Sequence, residues 1–225
     1  VLDGKTLGFK TSDTNPTAFD LTVGSGNVNE GIKIGSAEQN ATLNLENIDV
    51  LTVDGSVIAY GNFSASANSV NMGLVNANTG NMTVNATGDV AVGGLVANSD
   101  GTTNITAGGV LSSDGTIQNN AGTMNLVAGD DINVVGSVEN KSAGNVSIRG
   151  ADMTVSEMLT NEASSATLTM NLDSLTVNGG TQSAYSFVNS GNLFATVKGN
   201  TYLEYGMNLG GMTKDNVFNL DTGTL

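Results

Sequence analysis

The side chains able to do chemistry in this chain are almost all carboxylates. There are 21 Asp and Glu against 7 Lys and Arg, with no His and no Cys. Ser–His and Cys–His nucleophile schemes are therefore impossible, as are disulfides and thiolate-bound zinc. Acid–base work by two carboxylates stays chemically open, but it needs a pair held at a defined short separation. No acidic pair lies in a long insertion, and Lys5, Lys10, Lys33, Lys141, Arg149, Lys198 and Lys214 are widely dispersed. The expectation is no catalytic residue and no enzyme activity.

The remaining use for clustered carboxylates is a cation. Asp130-Asp131, after Gly129, is the densest acidic corner, and Asp89 and Asp152 fall at related places in neighbouring segments. Calcium takes roughly six to eight oxygen ligands, so stacked carboxylates of this kind are its candidates. The nonapeptide calcium pattern Gly-Gly-x-Gly-x-Asp is absent. Solvated corner residues are the preferred reading, and no other cofactor is expected.

What must position these residues is a repeat. Anchors of Gly followed by Asn or Thr stand at Gly61-Asn62, Gly80-Asn81, Gly101-Thr102, Gly122-Thr123 and Gly144-Asn145, at intervals of 19, 21, 21 and 22. Ala41-Thr42 fits one step earlier, Ala166-Thr167 continues the series, and Gly191-Asn192 opens another unit after a longer interval. Each unit holds a first apolar alternation (Met124, Leu126), a small or polar corner, a second alternation (Ile132, Val134), and a third short apolar element around Leu95, Ile117, Val138 or Leu159. Period-two alternation over three to five residues reads as a strand with one face in and one out. Three such strands per coil of about 21 residues predict an all-β chain, a right-handed parallel β-helix or β-solenoid, whose coils bury one another's interiors. The competing fold is an antiparallel sandwich or barrel with hairpin turns at Asp54-Gly55, Asp100-Gly101 and Asp114-Gly115. No two-strand unit recurs to support it.

Composition agrees with the solenoid. Of 225 residues, 30 are Gly, 30 are Asn and one is Pro; aromatics make up only 4%, so Val, Leu, Ile, Met and Ala must fill the core. Gly, Asn and Asp suit corners because they tolerate positive φ. Asn98, Asn119 and Asn140, spaced by 21, are candidates for a structural ladder of stacked amides. Sequons at Asn40, Asn62, Asn81, Asn85, Asn104, Asn140 and Asn145 read as a by-product of composition, with glycosylation as the alternative.

One continuous domain is expected, in three parts. Residues 1–40 form an irregular N-terminal coil or cap, 41–190 the β-helix repeats, and 191–225 a C-terminal coil or cap. Six of the ten aromatic residues fall after position 184, Tyr185 and Phe187 at the end of the repeats and Phe194, Tyr202, Tyr205 and Phe218 in the last part, which is therefore aromatic-rich. The net charge of −14 argues against nucleic acid and against docking on anionic lipid. No apolar run reaches the ~20 residues of a membrane span, so this segment is not expected to insert. The chain starts at Val1, not Met, so removed leader or flanking regions are expected.

The segments Gly80-Asn81-Met82-Thr83-Val84-Asn85-Ala86-Thr87-Gly88-Asp89-Val90 and Gly122-Thr123-Met124-Asn125-Leu126-Val127-Ala128-Gly129-Asp130-Asp131-Ile132 carry a common rhythm. They resemble the repeats of filamentous haemagglutinin-like adhesins and autotransporter passengers over roughly residues 60 to 160. The resemblance implies a secreted right-handed β-helix at a bacterial cell surface, with no enzymatic residues to transfer. The expected function is a structural or adhesive segment whose partner is a host or cell-surface glycan or protein. The alternative is a subunit that assembles with its own copies into a filament, sheath or surface layer. A polysaccharide-active β-helix enzyme is the remote third, carried by the fold alone.

Overall fold

The computed structural model describes residues 6–9, 19–23, 31–36, 38, 41–98, 100–180 and 184–224. These form a parallel β-solenoid of about 9 turns with coils of about 21 residues, and no helix. Every strand pairing is parallel, which removes the antiparallel sandwich. Crossovers between parallel strands are right-handed in almost all proteins. Among the described residues no helix is long and apolar enough to cross a membrane.

Each coil has three faces, and residues one coil apart lie side by side. On the first face Phe63, Met82, Thr103, Met124, Val146, Leu168 and Leu193 follow one another in register. On the second, Val70, Val90, Leu111, Ile132, Met153 and Leu175 do so. On the third the column runs Ile32, Val57, Val75, Leu95, Ile117, Val138, Leu159, Phe187 and Met207.

The alternation of the sequence is what builds this interior. Met82, Val84, Val90, Val92, Leu95 and Ala97 of one coil are all buried, and Thr83, Asn85, Ala91 and Val96 between them face outward. Burying one such aliphatic side chain is worth about 1.5–3 kcal/mol, but only if a neighbouring coil covers it. On the first two faces three polar residues enter the apolar columns, Thr103, Ser113 and Thr201, the last in register with Leu175. Ser113 satisfies its hydroxyl locally, donating to the Gly115 carbonyl at 2.8 Å.

Corners decide which residues the faces can display. The corner leading into the first face needs a left-handed residue in two coils, Gly80 at φ 83° and Gly122 at φ 70°. The corner from first to second face is tight in a different way. A Cβ on Gly129 would stand 2.1 Å from the Gly108 carbonyl oxygen, so backbone there packs directly on backbone.

The stack continues across both sequence boundaries of the expected repeat region. Residues 6–9 pair with 42–45, 19–23 with the stretch from Ile48 to Val53, and Ile32–Ile34 with Val57–Ala59. Asn192–Leu203 adds in register to both Thr167–Leu172 and Leu175–Val177, and Phe218–Thr224 adds to it in turn.

Candidate functional site

The four calcium candidates do not converge. Asp89 lies beside Val110, whose N–H donates to its Oδ1 at 2.8 Å. Val110 in turn separates it from Asp131, which stands two coils away, about 10 Å at the usual strand spacing. Asp131 and Asp152 are neighbours in one column: the Asp152 N–H donates to Asp131 Oδ1 at 3.3 Å, and the Ser174 hydroxyl donates to Asp152 Oδ1 at 2.7 Å. These carboxylates accept hydrogen bonds from the following coil and so act as rungs. Asp130 precedes Asp131 and is exposed. Among the described residues no group of three or more Asp, Glu, His or Cys is placed to hold a metal ion.

The Asn candidates divide between two ladders. Asn119 and Asn140 belong to a buried column on the third face that continues through Asn161 and Asn189, all essentially without solvent exposure. Each Nδ2 donates to the next Oδ1: Asn119 to Asn140 at 3.1 Å, Asn140 to Asn161 at 2.9 Å, and Asn161 to Asn189 at 2.7 Å. Asn189 closes the ladder on the Gly191 carbonyl at 2.9 Å. At the other end Asn119 Oδ1 is buried without a hydrogen-bond partner, because the residue before it in the column is Ala97.

Asn98 stands elsewhere. The register pairs Ala97 with Asn119, so Asn98 falls beside Asn120, on the exposed side of the corner. There it accepts from Asn120 Nδ2 at 2.7 Å and donates to Asn76 at 2.9 Å and Asn78 at 3.0 Å. The spacing of 21 had placed it with Asn119, but this coil step is 22 residues on the third face. Asn189 was missed for the same reason, since the coil from Asn161 to Asn189 is stretched to 28 residues, whereas Asn161 stands the regular 21 residues after Asn140 and the spacing itself pointed to it.

The anchor Asn residues have a related duty. The side-chain oxygens of Asn62, Asn81 and Asn192 accept the backbone N–H of Asn81, Thr102 and Val217 respectively, each the next coil's first-face entry. Of the sequons, Asn140 is enclosed in the core ladder and out of reach of any sugar transfer in the folded chain. Asn62, Asn81, Asn85 and Asn145 are exposed, Asn104 is partly so, and Asn40 lies outside the described residues.

Hollows open among the described residues, three of which concern the site. The first, about 470 Å³, runs along the corner between first and second faces. Gly129, Gly150 and Ala151 floor it, and Arg149, Asn171, Asp173 and Lys198 rim it. Lys198 Nζ is 2.6 Å from Asp173 Oδ1. The second, about 520 Å³, opens at the last coil between Tyr202, Leu203, Met207, Leu209, Phe218 and Leu220, and is strongly apolar. The third, about 250 Å³, is a trough with Gly73 and Gly93 on its floor and Asp54 and Asp114 at its two sides.

The aromatic residues of the C-terminal part follow two patterns. Phe187 is buried in the third-face column, whereas Tyr185, Phe194, Tyr202, Tyr205 and Phe218 are exposed. No family profile, curated protein or solved structure matches this chain.

Proposed function

We propose that this chain is a non-catalytic segment of an extracellular β-helix of the adhesin type, a rod that displays its faces to a partner at a bacterial cell surface. The observation that carries this reading is the division of labour along every coil. Apolar columns are consumed by the interior, and the outward columns are Thr, Ser and Asn ranged on a stack of about 9 turns. Such a surface is preorganised, so a ligand meets little ordering cost in the protein. The repeat rhythm of residues 60 to 160 supports the same class. The partner is a glycan or protein of a host or neighbouring cell.

Immobilised protein should retain cells or surface glycans, and soluble protein should compete with that retention in proportion to its concentration. Absence of retention on every surface offered, with the fold intact by circular dichroism, would remove the adhesive reading.

Self-assembly into a filament or surface layer is the second reading, supported by the apolar hollow at the last coil. Tyr202 is 55% exposed there and Leu209 39%, beside the outer edge of Phe218–Thr224. A parallel edge accepts another parallel strand with the same polarity, so copies would add head to tail in an open array. Sedimentation should show concentration-dependent growth that Leu209→Glu abolishes. A single species at all concentrations would rule the array out.

A further inference from the structure

We infer that the corner groove around Arg149 is a subsite for the carboxylate of an acidic sugar; this rests on the adhesive reading and gives it an address. Arg149 is the single arginine in a chain with 21 carboxylates, yet its guanidinium makes no ion pair with any described residue. In so acidic a protein an exposed arginine left unpaired keeps its whole fork of donors free for a ligand. A planar guanidinium meets a carboxylate in two parallel hydrogen bonds, a geometry that a lysine does not reproduce.

The surroundings fit a saccharide. The groove spans five coils from Ala107 to Lys198, about 19 Å at the usual strand spacing. Gly129 and Gly150 line it with backbone alone, the room a Cβ would take being filled by the Gly108 carbonyl at the first and by Ile132 at the second. Asn171 offers both a donor and an acceptor, and the Asp173–Lys198 pair offers one of each charge, the mixture that a ring of hydroxyl groups requires. Little apolar surface is present for a peptide side chain to bury.

Two cations and one carboxylate line the groove, a balance of +1, and Asp130, exposed beside Gly129 with its carbonyl accepting from the Ala151 N–H at 2.8 Å, brings the local balance to zero. The groove is therefore neutral in a chain of net charge −14, and charges farther than about 8 Å are screened at physiological salt.

The test is titration calorimetry with a hexasaccharide of alternating glucuronate and N-acetylglucosamine, in chelator and physiological salt. Its carboxyl-reduced counterpart is the neutral control. The acidic hexasaccharide should bind, and the neutral one should bind at least about tenfold more weakly. Arg149→Gln should lose about the same factor, Arg149→Lys should recover only part of it, and Lys141→Gln, outside the groove, should behave as wild type. Arg149 is exposed, so its variants should keep the wild-type melting temperature, which is measured alongside. No binding by the wild type, equal binding of the reduced sugar, or full binding by Arg149→Gln would each overturn the subsite. If the subsite fails and the protein still retains cells, the adhesive reading stands without it. If retention fails too, both fall.

Discussion

At the scale of single residues the third-face column is the most demanding part of the molecule. Four asparagines sit in it without water, and each amide is answered by the next. An unmet buried polar group costs about 1–3 kcal/mol. Asn140→Ala would orphan two at once, Asn119 Nδ2 and Asn161 Oδ1, and should lower unfolding stability by about 2–5 kcal/mol in urea. Asn119→Ala should cost much less. It leaves Asn140 Oδ1 without its donor but also deletes Asn119 Oδ1, which is already unpaired. Equal losses for the two variants would mean that the ladder is not what stabilises this face. The aspartates allow a parallel test. Asp89 and Asp131 are engaged by the N–H groups of the next coil, so melting in excess calcium and in chelator should coincide. Binding of the ion to the native state would raise the calcium curve.

Elements in this fold are set by the corners, and Gly129 shows how. Replacing an exposed glycine by alanine in a permissive conformation stabilises a protein by about 0.4–1 kcal/mol. Here the new Cβ would meet the Gly108 carbonyl oxygen at 2.1 Å. Gly129→Ala should therefore destabilise by about 1–3 kcal/mol, and a rise in melting temperature would show that the coils can spread at this corner. Corners also explain what the sequence made legible. The anchors from Gly80 to Gly144 predicted the neighbours correctly: Met82, Thr103, Met124 and Val146 do stand in one column. Apolar alternation reports burial directly, and a coil that keeps its length keeps its register. What escaped was the place of residues where a coil changes length, as with Asn98 and Asn189. An extra residue at a corner moves every later side chain by one, and nothing in local composition marks which corner took it. Strand lengths were also hidden. Asn62–Ala77 runs through two bends without a break, although the sequence suggests three separate strands. The Arg149 groove could not be read either, because its charged and polar residues come from three successive coils, 22 to 27 residues apart from one to the next, from Arg149 to Lys198 at their extremes.

For the whole molecule the uneven distribution of charge matters more than its total. Residues 41–197 carry 13 acidic and 2 basic side chains, a balance of −11, while 1–40 balance at −2 and 198–225 at −1. Five of the seven cations therefore lie in the two end portions. Two such rods lying side by side bring −11 against −11, whereas the first and last segments of the sequence sum to only −2 and −1. Repulsion thus forbids lateral bundles near neutral pH and leaves axial association nearly free of it. The same argument gives the pH dependence. As pH falls toward the isoelectric point of about 4.1, the net charge of the chain falls toward zero and the lateral barrier falls with it, while the apolar hollow at Tyr202 and Leu209 is unchanged. On the self-assembly reading, small-angle scattering should show only length increasing with concentration at pH 7. Near pH 4 the cross-section should increase as well. Thickening at pH 7 in low salt, or none at pH 4, would mean that contacts between faces, and not shaft charge, control how these rods meet.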